Sequence, residues 1–211
     1  MPEHTSVEQE PLVAAPLFGD RVLIAREFAS QLGSRGEELG LIGPLEPPRL
    51  WTRHIINSAL VAPLLRPGLV GDIGTGAGLP GLVLAIVRPD VDFVLIEPME
   101  RRVAWLDEQV VHLGLGNVQV RRARAEDVAS EFSLDQVTAR AVSAFSKLIP
   151  LTVPLVKTGG ELVLMKGANA EREVEAASKA IRKHHLEDVE VITLGTGQVD
   201  EVTRVIRARV A

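Results

Sequence analysis

The chain has 211 residues, 46% hydrophobic and 24% charged, the composition of one ordinary globular domain with a sizeable core. No apolar run approaches the roughly 20 residues of a membrane helix, and the lack of cysteine removes disulfides, thiolate metal ligands and cysteine nucleophiles together. The net charge is -5, but setting aside Glu3, Glu8 and Glu10 leaves 25 of the 28 acids against 23 bases, so net charge neither supports nor excludes a nucleic-acid partner.

Residues 1–19, MPEHTSVEQEPLVAAPLFG, lack the basic and apolar regions of a signal peptide and are expected to form a flexible acidic tail on a cytoplasmic protein. Residues 20–66 are expected to be a helical extension: Val22, Leu23, Phe28 and Leu32 fall at helical spacing up to about Leu39. The segment GLIGPLEPPRL, Gly40 to Leu50, breaks that helix from a second one over about Arg49 to Leu65.

From residue 67 to 211 short β-rich runs alternate with helical ones. LVGDI precedes GLVLAIV, DFVLIEP precedes ERRVAWLDEQVVHLG, and VQVRRA precedes AEDVASEF; QVTARAV then leads to SKLIPLTVPLV, and ELVLMK to AEREVEAASKAIRK. That alternation implies βαβ units and a mostly parallel, doubly wound sheet. The last two runs, VEVITL and VTRVIRARV, are separated only by the loop GTGQVDE and should pair as an antiparallel hairpin. The expected fold is therefore α/β and Rossmann-like, seven strands with a C-terminal hairpin, an order that fits the class I methyltransferase sheet better than a six-strand dinucleotide sheet.

The stretch VGDIGTGAGLPG, Val70 to Gly81, sits at the first strand-to-helix turn, where such sheets bind ligands. A P-loop needs Lys then Ser or Thr after its last glycine, and Leu82 and Val83 follow Gly81 instead. A dinucleotide fingerprint needs a glycine where Leu79 stands. What is left, Asp72 followed by Gly74, Gly76 and Gly78, resembles the S-adenosylmethionine loop of Rossmann-like methyltransferases. Glu97 ends the next strand, where a carboxylate can accept both ribose hydroxyls. After the third strand, Ala125 and Glu126 either flank an adenine or simply begin a helix whose dipole favours acids.

Methyl transfer from a sulfonium is an in-line displacement, so the acceptor atom dictates the residues required. Pyrimidine carbon-5 chemistry needs the missing cysteine. Exocyclic adenine methylation usually brings an [ND]PP[YFW] turn, and Thr138 to Phe145 reads TARAVSAF. Guanine N7 is attractive because its lone pair is free at neutral pH and no base must remove a proton. Ribose methylation stays open, since Lys147 and Lys166 are present. A small-molecule methyltransferase with a helical lid, or a non-enzymatic RNA-binding module, also stays open. No His or carboxylate cluster has metal-ligand spacing, so no metal is expected.

RHIINS (Arg53 to Ser58), DIGTGAGLPG (Asp72 to Gly81), LIEPMERRVAWL (Leu95 to Leu106), ARAEDV, TARAVS and LVLMKG resemble, in order, the glucose-inhibited division protein B family of bacterial small-subunit ribosomal RNA guanine-N7 methyltransferases. The resemblance covers about residues 20 to 210. It implies methylation of a guanosine N7 in the decoding-region (530) loop of 16S RNA, naked or in the 30S subunit. S-adenosylmethionine would be the donor and S-adenosylhomocysteine the product, the enzyme a cytoplasmic monomer, and loss of function linked to streptomycin resistance. It also implies Gly74, Leu79, Ala125, Glu126 and Arg140 as donor contacts.

Arg140 ends the fourth strand, and its fork-shaped guanidinium suits a guanine edge or a phosphate. Lys166 ends the fifth strand beside it, to hold RNA phosphate or to pair with an acid. Arg53 and His54 are expected to lid the site and, with Arg124 from the cluster Arg121, Arg122 and Arg124, to meet RNA. Further basic groups are Arg101–Arg102, RKHH at Arg182 to His185, and Arg204, Arg207 and Arg209. Family members commonly read RHIxDS, and Asn57 stands in place of that Asp. The candidates for stacking a base are Trp51, Trp105, Phe145 and Phe18.

Overall fold

The computed structural model describes residues 6–140 and 142–211. Seven strands form one sheet in the order β3-β2-β1-β4-β5-β7-β6. In chain order the elements are α1 (Ala14–Phe18), α2 (Val22–Arg35), α3 (Asn57–Ala59), β1 (Leu69–Ile73), α4 (Gly81–Val87), β2 (Asp92–Ile96), α5 (Glu100–His112), β3 (Val118–Arg121), β4 (Leu134–Arg140), α6 (Phe145–Thr152), β5 (Val156–Lys166), α7 (Ala170–Ala176), α8 (Ser178–Lys183), β6 (Leu186–Leu194) and β7 (Thr203–Val210). Strands β1 to β5 pair in parallel. The expected hairpin forms, and β7 is antiparallel both to β5 and to β6.

Alternation along the strands builds two cores. Phe93 and Leu95 of β2 face a layer that holds Phe18, Phe28, Leu32, α4 and Trp105. Val94 and Ile96 of the same strand face the other layer, with Phe145, Leu148 and Ile149 of α6. Both faces being covered explains why the central strands read as nearly continuous apolar runs.

Three expectations need correction. The segment expected as a tail is packed from Glu8: its N–H donates to Pro47 O at 2.8 Å, its Oε2 accepts from Thr52 N at 3.0 Å, and α1 buries Ala14 and Phe18. Residues 1–5 lie outside the described residues. The second helix expected over Arg49 to Leu65 is shorter: Leu50 to Ala59 is one helical run, π over Trp51–Ile56 and α over Asn57–Ala59, set between 3-10 turns at Pro47–Arg49 and Ala62–Leu64, where Pro47, Pro48 and Pro63 each remove a donor. The crossover AEDVASEF shrinks to one 3-10 turn, Ala125–Asp127. Only Ala125 and Val128 are buried there, too small a face to sustain a helix.

The extension is tied to the sheet by hydrogen bonds as well as by its core. Gln136 of β4 accepts from Arg66 N at 2.7 Å and donates to Leu64 O at 3.0 Å. Asn57 Nδ2 donates to Thr203 Oγ1 at 2.7 Å, and that hydroxyl donates back to Asn57 O at 3.0 Å. Among the described residues no helix is long and apolar enough to cross a membrane. Thr203→Val keeps the shape and strands the Asn57 amide, so it should cost about 1–3 kcal/mol and lower the denaturation midpoint in a single transition. A separate early transition for the extension would show that it folds apart from the sheet.

Candidate functional site

Strand order reverses between β1 and β4, so the turns after these strands open a crevice at the carboxyl edge of the sheet. The turn after β1 is the glycine loop. Gly74, Gly76 and Gly78 have φ of +65°, +60° and +95°, a region that L side chains rarely adopt. A Cβ at Gly78 would also lie 2.3 Å from Leu82 Cδ1, so the loop is pressed onto α4.

Two buried acids hold this loop from below. Asp72 is fully buried, and its Oδ2 accepts from Gly81 N at 2.8 Å. Glu97 accepts from Gly76 N through one oxygen and from Met99 N through the other, both at 3.0 Å. Trp105 Nε1 braces the loop by donating to Ala77 O at 3.0 Å. Asp72 Oδ1 has no hydrogen-bond partner, although the Thr75 hydroxyl is near enough to favour its charge. Burial pushes the Asp72 carboxyl up to about 6 against the opposing effects of Thr75, Gly81 N–H and Arg140.

Two cavities meet in the crevice. The smaller, about 320 Å³, is lined by Gly74, Thr75, Gly76, Ala77, Leu79, Arg102 and by Leu41 to Gly43 of the Gly/Pro segment. The larger, about 1100 Å³, opens between the ends of β4, β5 and the β6–β7 loop. Glu46, His54 and Arg140 line both and form the wall between them. Arg140 donates to His54 Nδ1 at 2.9 Å and to Arg53 O at 3.3 Å, and His54 Nε2 meets Glu46 Oε2 at 2.7 Å. Burial, with the Arg140 charge, pulls His54 down to about 4, so its ring is neutral at pH 7. Burial lowers Arg140 to about 10, and it stays a cation.

Of the residues singled out in the sequence, Gly74, Gly76, Leu79, His54 and Arg140 line the smaller cavity, with Asp72 and Glu97 bonded to its loop. Arg53 and Lys166 line the larger one. Lys166, however, is nearly buried and committed: it donates to Ser143 O at 2.6 Å and lies 2.9 Å from Glu173 Oε2. Glu173 also caps Phe145 N at 2.7 Å, so this pair pins the turn that follows β4. The acid-pairing alternative therefore describes Lys166 better than a free phosphate ligand.

Ala125 is buried and Glu126 exposed on the turn after β3, and neither lines either of these two cavities. Arg124 is exposed and also lines neither. The stacking candidates are all core: Trp51, Trp105, Phe18 and Phe145 are at most 5% exposed. Several basic clusters are neutralised, Arg121 by Glu131, Arg122 by Glu100, Arg207 by Glu190 and Arg209 by Glu187 and Asp188. Sequence reasoning missed Glu46, although it is the only acid in GLIGPLEPPRL, because that segment reads as a helix breaker.

The donor set fits a ligand that is cationic and needs close backbone approach: bare main chain at Gly74 to Gly78 above an unpartnered carboxylate oxygen. Among the described residues no group of three or more His, Cys, Asp or Glu is placed to hold a metal ion.

The profile of the GidB family, rRNA small subunit methyltransferase G, matches residues 23–202. The chain is similar to the ribosomal RNA small subunit methyltransferase G of Clavibacter sepedonicus, 90% identical over all of both chains. It is 69% identical to the protein of the same name from Leifsonia xyli subsp. xyli, over 97% of this chain and 98% of that one. Its fold is similar to that of M. jannaschii TYW2, crystallised in complex with AdoMet, with a TM-score of 0.59 and 21% identity over 75% of this chain and 76% of the other.

Because Asp72 is raised from 3.8 to about 6, the folded chain favours its neutral form, and the stability this lends is present below 3.8 and lost as pH rises through about 6. Asp72→Asn removes the buried charge and keeps an acceptor for Gly81 N. Without ligand it should be more stable than the parent chain at neutral pH by on the order of 1–2 kcal/mol, the gain vanishing by about pH 4. Melting curves across that range check it; a variant less stable at neutral pH contradicts it.

Proposed function

On the premise that this chain belongs to the GidB family, the rRNA small subunit methyltransferases G, we propose that it methylates N7 of a guanosine in the decoding-region (530) loop of 16S RNA, with Arg140 orienting the base. The chain is an S-adenosylmethionine-dependent rRNA methyltransferase on a class I fold. We place it in the cytoplasm with its ribosomal substrate, either 16S RNA or the 30S subunit.

The observation that carries the reading is the position of Arg140, a guanidinium on the wall between a glycine-floored cavity and a larger open one. Methyl transfer needs the donor methyl and the acceptor atom in direct in-line contact, which adjoining cavities that meet beside Arg140 allow. When bound, S-adenosylmethionine supplies an electrophilic methyl group and departs as S-adenosylhomocysteine. Gly74 to Leu79 would hold it with main chain, Asp72 would offset its positive charge, and Glu97 would take its ribose hydroxyls. Ala125 and Glu126 are proposed to flank the adenine beyond the smaller cavity.

The larger cavity suits guanine N7 for two reasons. First, it offers no free imidazole: His54 has both ring nitrogens engaged, by Arg140 and Glu46, and N7 requires no proton removal. Second, its lining is balanced, with Arg53, Arg140, Lys166 and Arg204 against Glu46, Glu173, Asp200 and Glu201. The acids offset the positive charge that forms on the methylated base. Arg140 then acts by holding the O6 edge or a phosphate, since a guanidinium facing N7 would oppose that charge. The exposed Arg53 and Arg124 are proposed phosphate contacts, which set register without reading sequence.

Arg140→Ala should lower methyl transfer at least a hundredfold while donor affinity stays within about tenfold, under ~1.4 kcal/mol. Calorimetry with S-adenosylmethionine and a transfer assay on 16S RNA or 30S subunits separate the two. A collapse of donor binding would make Arg140 a donor ligand only. Mapping 7-methylguanosine in 16S RNA from cells with and without the gene tests the acceptor, and an unchanged level removes the N7 assignment.

A further inference from the structure

Behind Arg140 stands a chain of side chains whose polarity is fixed from both ends. A guanidinium can only donate, so the His54 Nδ1 that it meets at 2.9 Å must carry the lone pair. His54 Nε2 then holds the proton and donates it to Glu46 Oε2 at 2.7 Å. Glu46 uses its two oxygens differently: Oε2 serves His54, with Arg53 Nε 3.4 Å from the same oxygen, and Oε1 takes Arg49 Nη2 at 2.7 Å. The carboxylate comes from the loop before the π-helical turn Trp51–Ile56, the imidazole from that turn, and the guanidinium from the end of β4.

We propose that Glu46 is a positioning residue for methyl transfer: it locks His54 in the Nε2–H tautomer, and the Nδ1 so presented holds the Arg140 guanidinium on the wall between the two cavities. The proposal rests on the reading of Arg140 as the group that orients the acceptor. A buried guanidinium left to itself would turn toward the nearest carboxylate, and the deeper one is Asp72, whose charge already acts on it. His54 supplies a neutral acceptor in a fixed direction instead. It keeps the donor planar and aimed, and it leaves the remaining N–H groups of Arg140 for substrate.

The test uses the full chain. Glu46→Ala should lower kcat ten- to a hundredfold on the RNA substrate with donor Kd within threefold, and two-bond 1H–15N correlation spectra should show His54 leaving the single Nε2–H tautomer. Glu46→Gln offers an amide oxygen to the same proton and should restore kcat to within about fivefold of the parent and keep the tautomer. Arg49→Ala, which removes only the partner of the other oxygen, should leave kcat unchanged. His54→Ala and the Glu46→Ala, His54→Ala double variant should be equally slow.

Normal kcat in Glu46→Ala while Arg140→Ala is inactive overturns the relay and leaves the reading of Arg140 standing. Full activity in both removes that reading itself. A Glu46→Gln variant as slow as Glu46→Ala, or losses that multiply in the double variant, overturns the relay by showing that Glu46 acts through its charge or independently of His54. If Glu46→Ala fails to fold, Glu46→Gln and His54→Ala decide by the same readouts.

Discussion

Asp72 and Glu97 close neighbouring parallel strands, both almost sealed from solvent, and each accepts a hydrogen bond from the main chain of the glycine loop. A buried carboxylate is costly unless its lone pairs are met, so these acids are stable only while the loop keeps its shape. The loop, in turn, has too much freedom to hold that shape alone. The dependence is mutual, and it fixes where bare main chain meets the crevice. Trp105, donating to Ala77 O from α5, adds a third constraint from the helix that packs behind.

The opposite wall is built from two desolvated cations with different partners. Lys166 is closed off by Ser143 O and Glu173, and the same Glu173 caps α6. Its contribution is to hold the turn after β4 in place. Arg140 is instead met by neutral acceptors, His54 Nδ1 and Arg53 O, and so keeps its charge unneutralised beside the larger cavity. In a low-dielectric setting that difference decides which cation is available to a ligand.

The extension is therefore part of the site. Its Leu41 to Gly43 segment covers the smaller cavity, and its π-helical turn delivers Arg53 and His54 to the larger. Asn57, paired with Thr203 through two neutral hydrogen bonds, secures that turn to β7. The side-chain amide donates the first of these bonds and the main-chain carbonyl of the same residue accepts the second, so a carboxylate side chain in its place could not supply the first. The buried aromatic residues leave no exposed Phe or Trp ring at either cavity among the described residues.

Period-two and helical spacing, the Asp72 to Gly81 pattern and the final hairpin determined the fold from sequence, because they are local properties of backbone and burial. The same locality exposed the loop at the smaller cavity and the acids beneath it: Asp72, the glycines and Glu97 lie at strand ends that the pattern itself marks. Sequence could not assign the partners of charged groups. Whether Lys166 meets phosphate or Glu173, whether Arg207 and Arg209 face RNA or their own strand neighbours, and that Glu46 sits behind His54 all depend on separations through space between residues distant in the chain. Helix strength failed similarly at Ala125–Asp127, where packing and not propensity sets length. Periodicity records which way a side chain points relative to its own backbone; only the packed chain decides what waits there.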